Sequence, residues 1–146
     1  MKLEDIHQLW DVDAEIDEHA LHQESLKIPK LHAKYSKIYT NEAIRLHKMK
    51  NDLQALKSLK YDYYSGDLNG TEELKERDWE PWRKNNLKSD IPRLLDSDKD
   101  IISMLNSIGI QSEKVNLLES IIKSIQNRGY TITTAVNYQK FLQGFG

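Results

Sequence analysis

Residues 97–127, SDKDIISMLNSIGIQSEKVNLLESIIKSIQN, carry the pattern that decides the fold class. Ile101, Leu105 and Ile108 follow one helical face, and Val115, Leu118, Ile122 and Ile125 continue it at steps of three and four, with Leu117 and Ile121 widening it. So broad an apolar face has to be covered on more than one side. Ser97 and Asp100 have the spacing of a capping box at its start. Gly109 is the weak point, so the pattern predicts either one helix over about 97–127 or a break at that glycine. Gly129 is expected to end the helix, and Thr133 to cap a short last one over 134–142, packed through Val136, Phe141 and Leu142.

Upstream, Thr40 or Asn41 offers an N-cap for a helix running to Tyr64, with Gly66 just past its end. Within it Leu46, Met49, Leu53, Leu56, Lys60 and Tyr63 step by three and four, a coiled-coil-like seam with one lysine set into it. Two readings of Lys60 stand side by side: it buries its stem and snorkels outwards, or the seam opens and its ammonium meets a ligand. A short first helix is expected over about 3–10, and a second from about Asp17, with Pro29 kinking or interrupting it. Residues 65–92 read as a linker with one or two helical turns around 71–78, and Trp79 and Trp82 as its anchors onto a helix. With only three prolines and six glycines to interrupt it, the chain is read as all-α. The expected layout is an N-terminal helical region over 1–66, a linker over 67–96 and a C-terminal helical region over 97–146, together one structural domain.

Hydrophobic residues make up 38% and charged residues 30%, a balance too polar to bury every helix inside one subunit, so self-association is expected. Ile101, Leu105, Ile108, Val115, Leu118, Ile122 and Ile125 are the side chains assigned to it. The absence of cysteine excludes a disulfide frame and thiolate metal sites. No apolar run approaches the ~20 residues of a membrane span, and MKLEDIHQLW has none of the regions of a signal peptide. The net charge of −2 hides a segregation. Residues 1–26 hold one basic residue against eight acids (−7), whereas 27–60 hold nine basic residues against two acids (+7). Such a basic block suggests a polyanionic partner or an acid–base contact between subunits.

Catalytic signatures are lacking: there is no phosphate-cradling glycine loop, no G-x-S-x-G and no H-E-x-x-H. His19 and His22, with Glu15, Asp17 and Glu18 nearby, read as a solvated helix face rather than a metal site. A metal-dependent nuclease built on these acids is a remote reading, so neither enzymatic activity nor a cofactor is expected. What remains is lysine interleaved with aromatics. Tyr35 and Tyr39 lie among Lys30, Lys34 and Lys37, and Tyr61, Tyr63 and Tyr64 follow Lys57 and Lys60. Proteins that hold single-stranded nucleic acid combine a cationic track for phosphates with aromatic faces for bases. Lys57 and Lys60 lead this candidate track, with Arg45, Lys48, Lys50, Tyr63 and Tyr64 alongside.

Four ordered segments, KLEDI at 2–6, DYYSG at 62–66, SDKD at 97–100 and NRG at 127–129, resemble the UvsY recombination mediators of T-even-type phages. The likeness runs without gaps over 16–66 and again over 98–144, and leaves the linker without support. It implies an all-helical subunit assembling into an open ring-like homo-oligomer, a heptamer, in the cytoplasm of the infected host cell. It implies single-stranded DNA, the phage single-strand-binding protein and the phage RecA-like recombinase as partners, and no catalytic activity. The family's DNA-binding motif places basic residues two and four positions before the aspartate of DYYSG. The nearer position here is Lys60; the farther is Ser58, with Lys57 beside it but turned about 100° around a helix. The expected function is therefore a recombination mediator that binds single-stranded DNA and loads the recombinase. The alternative is a helical scaffold protein without DNA binding.

Overall fold

The computed structural model describes residues 1–82, 84 and 87–144. Every regular element among them is helical: α1 (Leu3–Asp13), α2 (Leu21–Ser65), α3 (Glu72–Arg77), a 3-10 turn (Lys88–Asp90), α4 (Ile91–Asp96) and α5 (Lys99–Leu142). None is long and apolar enough to cross a membrane. The chain divides into two compact units, residues 1–45 with 110–146, and residues 46–109.

Several predicted helix boundaries are corrected, each because packing outweighs local propensity. Pro29 does not interrupt α2. Its ring removes one backbone donor, but Ile28 and Leu31 on either side pack into a core. Thr40 is no fresh N-cap; it lies inside α2 and its hydroxyl donates back to the Ser36 carbonyl at 2.9 Å. Gly109 and Gly129 are both absorbed within α5. A helical glycine costs about 1 kcal/mol, which the buried neighbours Ile108, Gln111, Arg128 and Ile132 outweigh. Thr133 caps nothing, since its hydroxyl also donates back a turn, to Gly129 O at 2.9 Å. The second helix starts at Leu21, after a turn in which Asp17 Oδ1 accepts from the His19 amide at 2.9 Å.

The unit of residues 1–45 and 110–146 is built on Ile6 from α1, Tyr35 from α2 and Leu118, Ile121 and Ile125 from α5, all fully buried. Trp10 packs edge-on to Tyr35 with ring centroids 5.5 Å apart. Polar groups close the rim. The Tyr35 hydroxyl donates to Asp13 at 2.8 Å, and Arg128 donates to the carbonyls of Asp13 and Ala14 at 2.7 and 2.8 Å. Those carbonyls end α1 and have no partner within it, so a cation there satisfies them and the helix dipole together. Gln111 bridges to the buried Glu42, donating to its carboxylate at 2.7 Å and its carbonyl at 2.9 Å.

The unit of residues 46–109 packs Leu53 and Leu56 of α2 against Ile101 and Ile108 of α5, with Met49, Trp79, Leu95 and Met104 around them. DYYSG is the stop of α2. Gly66 takes φ 88°, and the amides of Gly66 and Asp67 donate to the carbonyls of Tyr63 and Asp62 at 3.1 and 3.0 Å, the paired bonds of a Schellman cap. Asp78, at φ 58°, ends α3 in the same way, and brings Trp79 beside Leu74 through its amide bond to the Leu74 carbonyl at 3.0 Å. A Cβ on Gly66 would meet nothing closer than Asn69 Nδ2 at 3.7 Å, so only backbone strain opposes a side chain there. Gly66→Ala should therefore lose about 1–2 kcal/mol in urea unfolding, and Gly66→Asn less; equal stability of all three proteins would show that this cap contributes nothing.

Candidate nucleic-acid interface

The residues proposed for DNA contact do not share one environment. Arg45, at the margin of the first unit, is exposed, as are Lys48 and Lys50 in the second; Lys57 is half-buried. Lys60 is buried, with only 5% of its surface exposed. Its ammonium neither snorkels outwards nor meets open space. Nζ lies 3.1 Å from Asp98 Oδ2 and 2.8 Å from Asp100 Oδ2, and 3.9 Å from the centre of the Trp79 ring. Lys60 therefore arrives in the structure already neutralised by its own chain.

Asp98 is the centre of this arrangement. One carboxylate oxygen accepts the Ile101 amide at 3.0 Å and so caps α5, in place of the Ser97–Asp100 capping box that the spacing suggested. Ser97 turns back onto α4, donating to Arg93 O at 3.1 Å. The other oxygen of Asp98 takes the Tyr64 hydroxyl at 2.5 Å and the Lys60 ammonium. Burial by itself would raise the Asp98 pKa, but the hydrogen bonds from Tyr64, the Ile101 amide and Lys60, with the lysine's charge, outweigh it and hold the carboxyl below its ordinary range. Tyr64 moves the other way, raised by burial first and then by its bond to Asp98 and that group's charge.

The aromatic residues are engaged as well. Tyr63, Tyr64, Trp79 and Trp82 form one cluster with ring centroids 4.7–5.9 Å apart, and the Tyr63 hydroxyl donates to Glu80 O at 2.5 Å. Asn69 fixes Trp82 by pairing with both its amide and its carbonyl at 3.0 Å. The two tryptophans thus anchor the linker, as their flanking positions suggested. A groove of about 570 Å³ runs beside Trp79, lined by Met49, Leu56 and Met104 with Asp52, Arg77 and Asp100 at its polar edge.

The apolar face assigned to contacts between copies also lies mostly inside the subunit. Ile101 and Ile108 belong to one core and Leu118 and Ile125 to the other, with Ile122 packed against the latter. Val115 is buried too, and Leu105 alone of the seven is exposed, at 45%. Sequence periodicity missed Ile102, Ile110 and Tyr138, which α5 leaves open, and Phe141 and Leu142, expected to pack, are exposed at the end of α5 instead. It missed Asp98 and Asp100 as partners of Lys60, although DYYSG and SDKD both stand out in the sequence. Among the described residues, no group of three or more His, Cys, Asp or Glu side chains converges to hold a metal ion.

Acid should loosen this arrangement. Asp98 has a folded pKa below its unfolded value near 4, so the stability it contributes is present above that value and lost as pH falls towards the folded one. Asp13, held down by Lys34 and Tyr35 against the opposing effect of burial, adds the same sign. Asp98→Asn should therefore flatten the loss of stability below about pH 4. Lys60→Ala should cost about 3–5 kcal/mol at neutral pH by leaving a buried carboxylate unpaired. Both follow from denaturation measured across pH, and wild-type behaviour of the two variants would dissolve the ion pair as an energetic feature.

The family model described as "Recombination, repair and ssDNA binding protein UvsY" matches residues 9–145. No curated protein matches the sequence. Two crystal structures of the bacteriophage T4 recombination mediator protein UvsY superpose with TM-scores of 0.81 and 0.82. Their identity to this chain is 20% and 21%, over 97% and 98% of it and 99% and 98% of theirs, so the likeness is one of fold. With the family model matched over nearly its whole length, this all-α chain belongs to the UvsY family.

Proposed function

We propose that the chain is a recombination mediator, a non-enzymatic protein that binds single-stranded DNA and helps load a RecA-like phage recombinase onto DNA covered by the phage single-strand-binding protein. Membership of the UvsY family over residues 9–145 is the observation that carries this reading. The exposed cations of α2, Lys48 and Lys50 with half-buried Lys57, supply charge for phosphates without first having to leave a carboxylate: no ion pair among the described residues engages them. Lys60 serves differently, by fixing the helix that displays them.

Each phosphate contact releases condensed cations, which makes binding depend steeply on salt. A few lysines per subunit hold DNA weakly. Several copies in an open ring-like homo-oligomer, a heptamer, multiply that hold through effective concentration. The apolar side chains left open on α5 support such association, with Ile102 and Leu105 in one unit and Tyr138, Phe141 and Leu142 in the other. No bond is made or broken. The mediator favours the recombinase only by binding the DNA state that the recombinase can use more tightly than the state held by the binding protein. Membership of a family of phage recombination proteins supports the reading that it works in the cytoplasm of the infected host cell.

Fluorescence anisotropy of a labelled single-stranded oligonucleotide, titrated at several salt concentrations, tests the proposal. Wild-type protein should bind with an affinity that falls steeply with salt. Lys48→Ala, Lys50→Ala and Lys57→Ala together should reduce the magnitude of the log–log slope by about 0.7 for each phosphate no longer neutralised while keeping the solution mass. Wild-type protein that ignores the strand in dilute buffer is the scaffold outcome and overturns the reading.

A further inference from the structure

Three tyrosines close α2, and the structure treats them differently. Tyr63 and Tyr64 have their hydroxyls bonded and their rings packed in the aromatic cluster. Tyr61 is exposed, at 39%, and among the described residues it makes no side-chain hydrogen bond and no ring contact with another aromatic. Helical spacing places it on one stripe with Lys50, Gln54 and Lys57, at steps of four, three and four. All four lie within the unit of residues 46–109.

Within residues 46–65, that stripe is the side of α2 on which cations stand apart from acids. At 100° per residue, the stripe borders the apolar seam at Leu46, Leu53 and Tyr64 on one side and His47 and Ser58 on the other, so no carboxylate of α2 stands within it or beside it. On the opposite margin of the apolar face, Asp52 lies one turn on from Lys48, where it offsets that lysine's charge. Lys50 and Lys57 are separated by about 10 Å along the helix axis, and Tyr61 lies about 6 Å further on. Gln54 between them adds donors and an acceptor without charge. Cations spaced along a ridge, followed by an unengaged aromatic face, are the elements with which proteins hold an unpaired strand irrespective of sequence.

We propose that Lys50, Gln54, Lys57 and Tyr61 form the strand-binding stripe of this subunit, and that Tyr61 is its base-stacking residue. The inference rests on the single-stranded DNA binding proposed above, and differs from the first expectation by moving the stacking role from Tyr63 and Tyr64 to Tyr61. Tyr63 and Tyr64 would have to abandon Glu80, Asp98 and the tryptophans to reach a base; among the described residues Tyr61 has no side-chain hydrogen bond and no aromatic contact to give up.

Stacking and charge separate in a salt titration. Tyr61→Ala and Tyr61→Leu should each bind a single-stranded oligonucleotide about 5- to 150-fold more weakly than wild type, with an unchanged salt slope, because every cation that neutralises a phosphate is still in place. Tyr61→Phe keeps the ring and should bind as wild type. Lys57→Ala should instead reduce the magnitude of the slope, by about 0.7 for each phosphate no longer neutralised. The leucine variant keeps the apolar cover of the helix and serves if the alanine variant does not fold. Wild-type affinity in Tyr61→Leu, beside a wild-type protein that binds, overturns the role of Tyr61 alone. Failure of wild type itself to bind overturns the proposed function and this inference with it.

Discussion

A lysine ammonium shut between two carboxylates fastens the end of α2 to the start of α5 within residues 46–109. Lys60 meets Asp98 and Asp100 at 3.1 and 2.8 Å, and Asp98 at the same time caps α5 and receives Tyr64. Taking such charges out of water is expensive, and an apolar residue at position 60 would pack at least as well. What the lysine adds is register. A slip of one helix along the other would leave an unpaired charge in the interior, a far larger penalty than a displaced leucine. The Schellman stop at Gly66 and the seating of Trp79 over the ammonium both depend on this alignment.

The surface chemistry follows from that fixed register. Because Lys60 is satisfied internally, the cations that α2 displays in this unit are Lys48, Lys50 and Lys57, held on a helix rather than on a loop. Asp100 differs from Asp98 in that its side chain is 54% exposed, so the lysine's inner partner is fixed and its outer one faces water. In the other unit Arg128 has a comparable duty, satisfying the last carbonyls of α1 instead of pairing with a carboxylate. In each unit a long basic side chain reaches inwards to complete a helix terminus.

The helices could be read in the sequence because apolar residues at steps of three and four survive in α2 and α5 whatever they pack against. Their continuity could not. Pro29, Gly109 and Gly129 are local weak points, and only the core residues on either side of each, which the chain brings together from afar, carry the helix through. The same limit applied to the face from Ile101 to Ile125. A stripe announces that it must be covered, but not whether by its own chain or by another, and six of its seven assigned residues are covered or half-covered within this one. Lys60 stood out as an anomaly in the seam, yet its partners lie about forty residues downstream, beyond any helical spacing. Tyr61, Tyr63 and Tyr64 look alike in the sequence; they differ in that the hydroxyls of Tyr63 and Tyr64 are bonded and that of Tyr61 has no partner among the described residues.

The most direct test of the central ion pair is a double-mutant cycle on Lys60→Met and Asp98→Asn, read by urea unfolding at neutral pH. Each single variant should be strongly destabilised, and the double variant should recover part of the deficit, giving a coupling of about 1–3 kcal/mol. Additive effects, with no coupling between the two positions, would contradict the account.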